Sequence, residues 1–121
     1  MNRLLPLIVL LDGAFRKRML DRWEGIKTCN LFAWWSDVVR VNGLDESYEG
    51  WSLEDSDLVI QLLHAGGKHK AARYAASVFH QWHQEQDRRY LPENQKRLDE
   101  LLQSSTIRVA AGLDQYGQTQ S

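Results

Sequence analysis

At 121 residues, with 15 basic and 16 acidic side chains and a formal net charge of −1, the chain has the size of one domain. It lacks the basic excess of a general nucleic-acid binder. A hydrophobic fraction of 43% excludes wholesale disorder, and the single cysteine, Cys29, excludes an internal disulfide and points to a reducing compartment.

Residues 1–26 read as an N-terminal helical and apolar segment. Leu4 to Leu11 imitates a signal peptide, but the run is short, contains Pro6, and leads into Asp12 and the basic Arg16, Lys17 and Arg18 without a small-residue cleavage site. It falls well short of the roughly 20 apolar residues that span a bilayer. A buried or partner-facing segment is expected, with peripheral contact at the inner face of a membrane as the alternative and a cytoplasmic location. The block as far as Ile26 reads as helix broken near Asp12-Gly13.

Lys27 to Ala33 is strand-like. Cys29 within it reads as a packed small residue. Trp34-Trp35 opens a short helix, with Ser36 as a cap and Asn42-Gly43 as its stop. Leu44 to Trp51 has no period and is rich in Asp, Glu, Ser and Gly, so it is a loop. Ser52 and Asp55 form a capping-box-like pair before a helix whose apolar face is Leu58, Val59, Leu62, Leu63 and Ala65, ended by Gly66-Gly67. Lys68, His69, Lys70 and Arg73 form a basic run, read as a solvated face; a phosphate-bearing substrate or anionic membrane surface is the sharper alternative.

Ala71 to Phe79 is expected to carry a short strand, after which come His80-Gln81-Trp82-His83, with Trp82 packed. His64 and His69 read as surface residues. Pro92 and Glu93 suit the first turn of a last helix, with Leu98, Leu101 and Leu102 on its apolar face. The fold class is α/β or α+β, with a few short strands and three or more helices. Residues 27–116 form the main domain, and 117–121 read as a disordered tail.

Glu54 and Asp55 are adjacent carboxylates at a helix start, so they cannot point the same way. One can take the proton of an acceptor hydroxyl while the other orients or caps. Acidic residues also suit the positive end of a helix, which is the plain structural alternative. His80 and His83 could converge on a metal from a turn, but two ligands do not complete a site.

The order of these segments is informative. Thr28-Cys29-Asn30-Leu31-Phe32-Ala33-Trp34-Trp35, then Asn42-Gly43-Leu44-Asp45-Glu46, then Glu49-Gly50-Trp51-Ser52-Leu53-Glu54-Asp55, then Gly112-Leu113-Asp114-Gln115-Tyr116 resemble the C-terminal, acceptor-side half of family 2 and galactosyltransferase-like glycosyltransferases. The resemblance runs from about Lys27 to Tyr116. It implies an inverting, metal-dependent transferase of the nucleotide-diphospho-sugar type, in which Asp55 is the catalytic base. Glu54 would bind or orient the acceptor, and Trp51, beside Gly50, would offer an aromatic face to the acceptor ring. It further implies a divalent metal, Mn2+ or Mg2+, held by His80 or His83 and shared with an Asp-x-Asp motif.

That motif belongs to the family's donor-binding half, for which the 26 residues before Lys27 are too few. The expected partners are therefore a nucleotide-sugar donor, a saccharide or lipid-linked saccharide acceptor, and a missing N-terminal half or partner chain, with no nucleic acid. Ser52 and Leu53 stand where the family has a glycine pair, which alters how closely the backbone approaches the acceptor. A non-catalytic, partner-binding module that keeps this fold is the alternative from a different class.

Overall fold

The computed structural model describes residues 19–20, 22–24, 26, 31–51, 53–70, 81–82, 84 and 87–117. Among them lie three α-helices and one antiparallel pair of two-residue strands, the mixed α and β character expected from the sequence. The strands are β1, Met19–Leu20, and β2, His69–Lys70, with Met19 opposite Lys70 and Leu20 opposite His69. The helices are α1, Trp35–Val41, α2, Glu54–His64, and α3, Leu91–Gln103, followed by a 3-10 turn at Leu113–Tyr116.

Helix α1 ends where its chemistry dictates. Asn42 takes a left-handed conformation with φ 73°, the N–H of Gly43 donates to the Val38 carbonyl at 2.9 Å, and that of Asn42 donates to Val39 at 3.1 Å. This paired closure satisfies carbonyls that a helix end leaves open, and asparagine tolerates the conformation better than most residues. Ser36 lies inside the helix and Trp34 precedes it with no side-chain cap, so the predicted cap is corrected.

Helix α2 closes in the same way: Gly66, at φ 91°, donates to Leu63, and Gly67 donates to Leu62, each at 2.9 Å. Its start differs from expectation. Leu53 is the flanking residue, with no side-chain cap, and Ser52 lies outside the described residues. Pro92 sits in the first turn of α3 and Glu93 beside it, as predicted.

The core is Ile60 of α2 with Leu98 and Leu101 of α3, and Trp23 and Leu53 pack against it. Two expectations about the apolar faces are corrected. On α2, Asp57 and Gln61 are buried beside Leu58, Val59 and Ile60, while Leu62, Leu63 and Ala65 are only half-buried. On α3 the buried positions are Asn94, Leu98 and Leu101, and Leu102 is exposed.

Further corrections concern local structure. Met19–Leu20 is extended rather than helical, because it pairs with a segment about fifty residues away that no local periodicity reveals. Leu31, Phe32 and Ala33 are irregular rather than strand. Trp82 is 90% exposed rather than packed. His64 is half-buried, with Nδ1 donating to the Thr106 carbonyl at 2.8 Å, and His69 is half-buried with its Nδ1 shielded from solvent. The strand expected at 71–79, Cys29 and the end of the tail, 118–121, lie outside the described residues.

Candidate functional site

The loop Leu44–Trp51 runs between the end of α1 and the start of α2, and three neighbouring segments hold it. At its root, the C-terminal stretch folds back onto Asn42. The Asn42 side-chain Nδ2 donates to the Val109 carbonyl at 3.0 Å and to Asp114 Oδ1 at 2.8 Å, and its Oδ1 accepts from the Asp114 N–H at 2.9 Å. The Leu113 N–H donates to the Asn42 carbonyl at 2.8 Å. Gly112 lies so close that a Cβ would stand 2.0 Å from that carbonyl. Two of the segments that carried the resemblance, around Asn42-Gly43 and Gly112-Leu113-Asp114, are thus one junction, buried at Asn42, Gly43 and Gly112 and exposed at Asp114. Asn42 lowers the pKa of Asp114 first of all, and Arg108 adds to the effect with a guanidinium 3.2 Å from the carboxylate. Tyr116 completes the stitch by donating from its hydroxyl to Glu46.

The loop's middle is fixed by α2 and α3. Tyr48 donates from its hydroxyl to Asp57 Oδ2 at 3.1 Å, and Gln61 donates to Asp57 Oδ1 at 2.6 Å. Asp57 is only 4% exposed. Burial pushes its pKa up, the bonds from Gln61 and Tyr48 oppose that rise, and the charge of Asp45 adds to it. Tyr48 is likewise raised, chiefly by burial and then by the charge of Asp57, so its hydroxyl keeps its proton and stays a donor. Arg97 of α3 donates to Ser47 Oγ at 2.6 Å and to Glu93 at 3.0 Å.

The loop's end bears Gly50 and Trp51. The Trp51 N–H donates to the Asp87 carbonyl at 2.8 Å, and the buried Asn94 side chain donates to the carbonyls of Glu49 and Trp51. Gly50, at φ 67°, leaves no room for a Cβ, which would sit 2.9 Å from the Asp87 carbonyl. Arg88 lies over the Trp51 ring, 4.5 Å from its centroid, so one face of the predicted acceptor platform carries a guanidinium. A polar cleft of about 120 Å³ opens beside the loop, lined by Ser47, Glu49, Tyr90, Glu93, Asn94 and Arg97.

Glu54 and Asp55 are the first two residues of α2, both half-buried, directly after this braced loop. Successive helix positions are about 100° apart, so the two carboxylates diverge. Negative charge suits that end of the helix. Gly50 and Trp51 at the loop's end are thus near Glu54 and Asp55 in sequence. His80 and His83 lie outside the described residues. Among the described residues, no group of three or more His, Cys, Asp or Glu side chains is arranged to hold a metal, so a metal site draws no support from them.

Sequence reasoning missed the bracing residues Tyr48, Asp57, Gln61, Asn94 and Arg97. The only available signals were the four-residue spacing of Asp57 and Gln61 and the presence of polar residues at core-facing helical positions. No helix of the described residues is long and apolar enough to cross a membrane.

Comparison with curated proteins and comparison with solved structures return no match. Residues 14–84, well over half of the chain, match the family model described as the N-terminal domain of galactosyltransferase. That span takes in Asn42-Gly43, the braced loop and the Glu54–Asp55 pair, and the chain belongs to this galactosyltransferase family.

Proposed function

We propose that the chain is the acceptor-side, C-terminal part of an inverting glycosyltransferase that moves a sugar from a nucleotide-sugar donor to a saccharide or lipid-linked saccharide. The observation that carries this is the pair Glu54–Asp55 at the opening of α2, behind a loop braced on both helices, in a chain of the galactosyltransferase family. Asp55 acts as general base. As the acceptor hydroxyl attacks the anomeric carbon from the face opposite the nucleotide, its proton passes to Asp55, the new C–O bond forms, and the bond to the diphosphate breaks. Glu54 orients the acceptor through its other hydroxyls. Trp51 packs against the sugar's C–H face, with Arg88 holding the indole in place.

A divalent cation, Mn2+ or Mg2+, held by His80 or His83 together with ligands from a donor-binding partner, would offset the charge on the departing diphosphate. The test compares extracts of the native cells with the gene intact and disrupted. They are assayed for transfer from a nucleotide-sugar panel that includes UDP-galactose, with and without Mn2+. Disruption should remove a metal-dependent transfer whose product has the opposite anomeric configuration to the donor. Equal transfer from both extracts contradicts the proposal.

A further inference from the structure

The bond between Tyr48 and Asp57 joins the loop to α2 across the candidate site. Tyr48 lies three residues before Trp51, and Asp57 lies two residues after Asp55. The hydroxyl-to-carboxylate bond, 3.1 Å long between residues nine apart, therefore closes a ring of chain that contains every described residue of the candidate site. Within that ring lie Gly50 and Trp51 on one arm and Glu54 and Asp55 on the other. The carboxylate is itself fixed from the far side by Gln61, one helical turn on, at 2.6 Å.

Of the other ties on the loop, those from Arg97, Asn94 and Asp87 run to α3 and the segment before it, and those of Glu46 run to Ala111 and Tyr116 of the C-terminal stretch. The Tyr48–Asp57 bond is a side-chain tie that sets the loop against α2, the helix that carries the carboxylates. We propose that Tyr48 and Asp57 are positioning residues: their bond sets the spacing between the acceptor platform, Gly50–Trp51, and the carboxylates Glu54–Asp55, and so governs acceptor use without touching the donor. The proposal rests on the transferase function above. It predicts a selectivity that a merely structural bond would not have, since a general loosening affects donor and acceptor alike.

The test uses the gene-disrupted cells complemented with the full chain, measuring transfer from UDP-galactose while donor and acceptor are varied separately. Tyr48→Phe removes one oxygen and little volume. It should raise the acceptor KM roughly three- to tenfold, the range set by losing one hydrogen bond, and leave the donor KM unchanged. Asp57→Ala should show the same selective rise, and Asp57→Asn, which keeps an acceptor oxygen for Tyr48, should recover part of it. A wild-type acceptor KM in Tyr48→Phe, or equal rises for donor and acceptor, overturns the proposal while leaving the transferase function standing.

If the disrupted cells lose no transfer, the function itself is refuted, and the proposed control of acceptor use falls with it. Hydrogen exchange over 44–51 then tests the remaining claim, that the bond restrains the loop. Faster exchange in Tyr48→Phe supports that restraint, and unchanged exchange overturns it.

Discussion

Asp57 shows how a single residue can be readable in chemistry and unreadable in role. Its letters, in Asp55-Ser56-Asp57, suggest an exposed acidic helix start, and only the folded chain shows it buried between Tyr48 and Gln61. Tyr48 sits in a loop without period, so no pattern in the sequence could pair the two. Because burial raises the folded carboxyl's pKa above its ordinary 3.8, folding takes up protons in the interval between the two values. The contribution of Asp57 to stability is thus fullest below the ordinary carboxylate range and is lost as pH rises through the raised value. Thermal melts should show Asp57→Asn gaining on the wild type as pH is raised from the ordinary carboxylate range, because the folded carboxyl ionises later than the unfolded one. A stability difference that does not change with pH contradicts a raised Asp57.

At the scale of elements, the turns were the most legible parts and the buried polar faces the least. Asn42-Gly43 and Gly66 end helices because their backbones reach left-handed conformations that other residues resist, and that preference is local. Pro92 marks a helix start for an equally local reason. By contrast, Asn94 faces inward on α3 because it must serve the carbonyls of Glu49 and Trp51, more than forty residues earlier. The β1–β2 pairing is equally non-local, and two residues are too few to show an alternation.

The Asn42 junction combines both cases: its turn is local, but its side chain binds Val109 and Asp114 across about seventy residues. Asn42→Ala should leave the Asp114 N–H and the Val109 carbonyl without their partner and lower stability by about 2–3 kcal/mol in urea unfolding. A change below about 0.5 kcal/mol, the level of an ordinary surface substitution, would show that the junction does not hold the C-terminal stretch in place.

Across the whole molecule, the small core of Ile60, Leu98 and Leu101 joins α2 to α3, and the loop Leu44–Trp51 is suspended between that pair and the Asn42 junction. Rigid elements therefore surround the segment that carries Trp51, Glu54 and Asp55, as a site needs if its groups are to be held in working geometry. The aromatic side chains Phe32, Trp34 and Trp35 stand out at the start of α1, exposed by 86%, 80% and 68%. The order of motifs made the galactosyltransferase relationship legible, whereas His80 and His83 lie outside the described residues.

The central claim is that the Asp55 carboxylate takes the acceptor's proton. Its most direct test is the rate of sugar transfer by Asp55→Asn in the gene-disrupted cells, measured beside binding of the nucleotide sugar. Replacing the base with an isosteric amide should reduce turnover at least about a hundredfold while donor affinity stays within about twofold of the wild type. Turnover near the wild-type rate would contradict the claim and remove Asp55 from the chemistry.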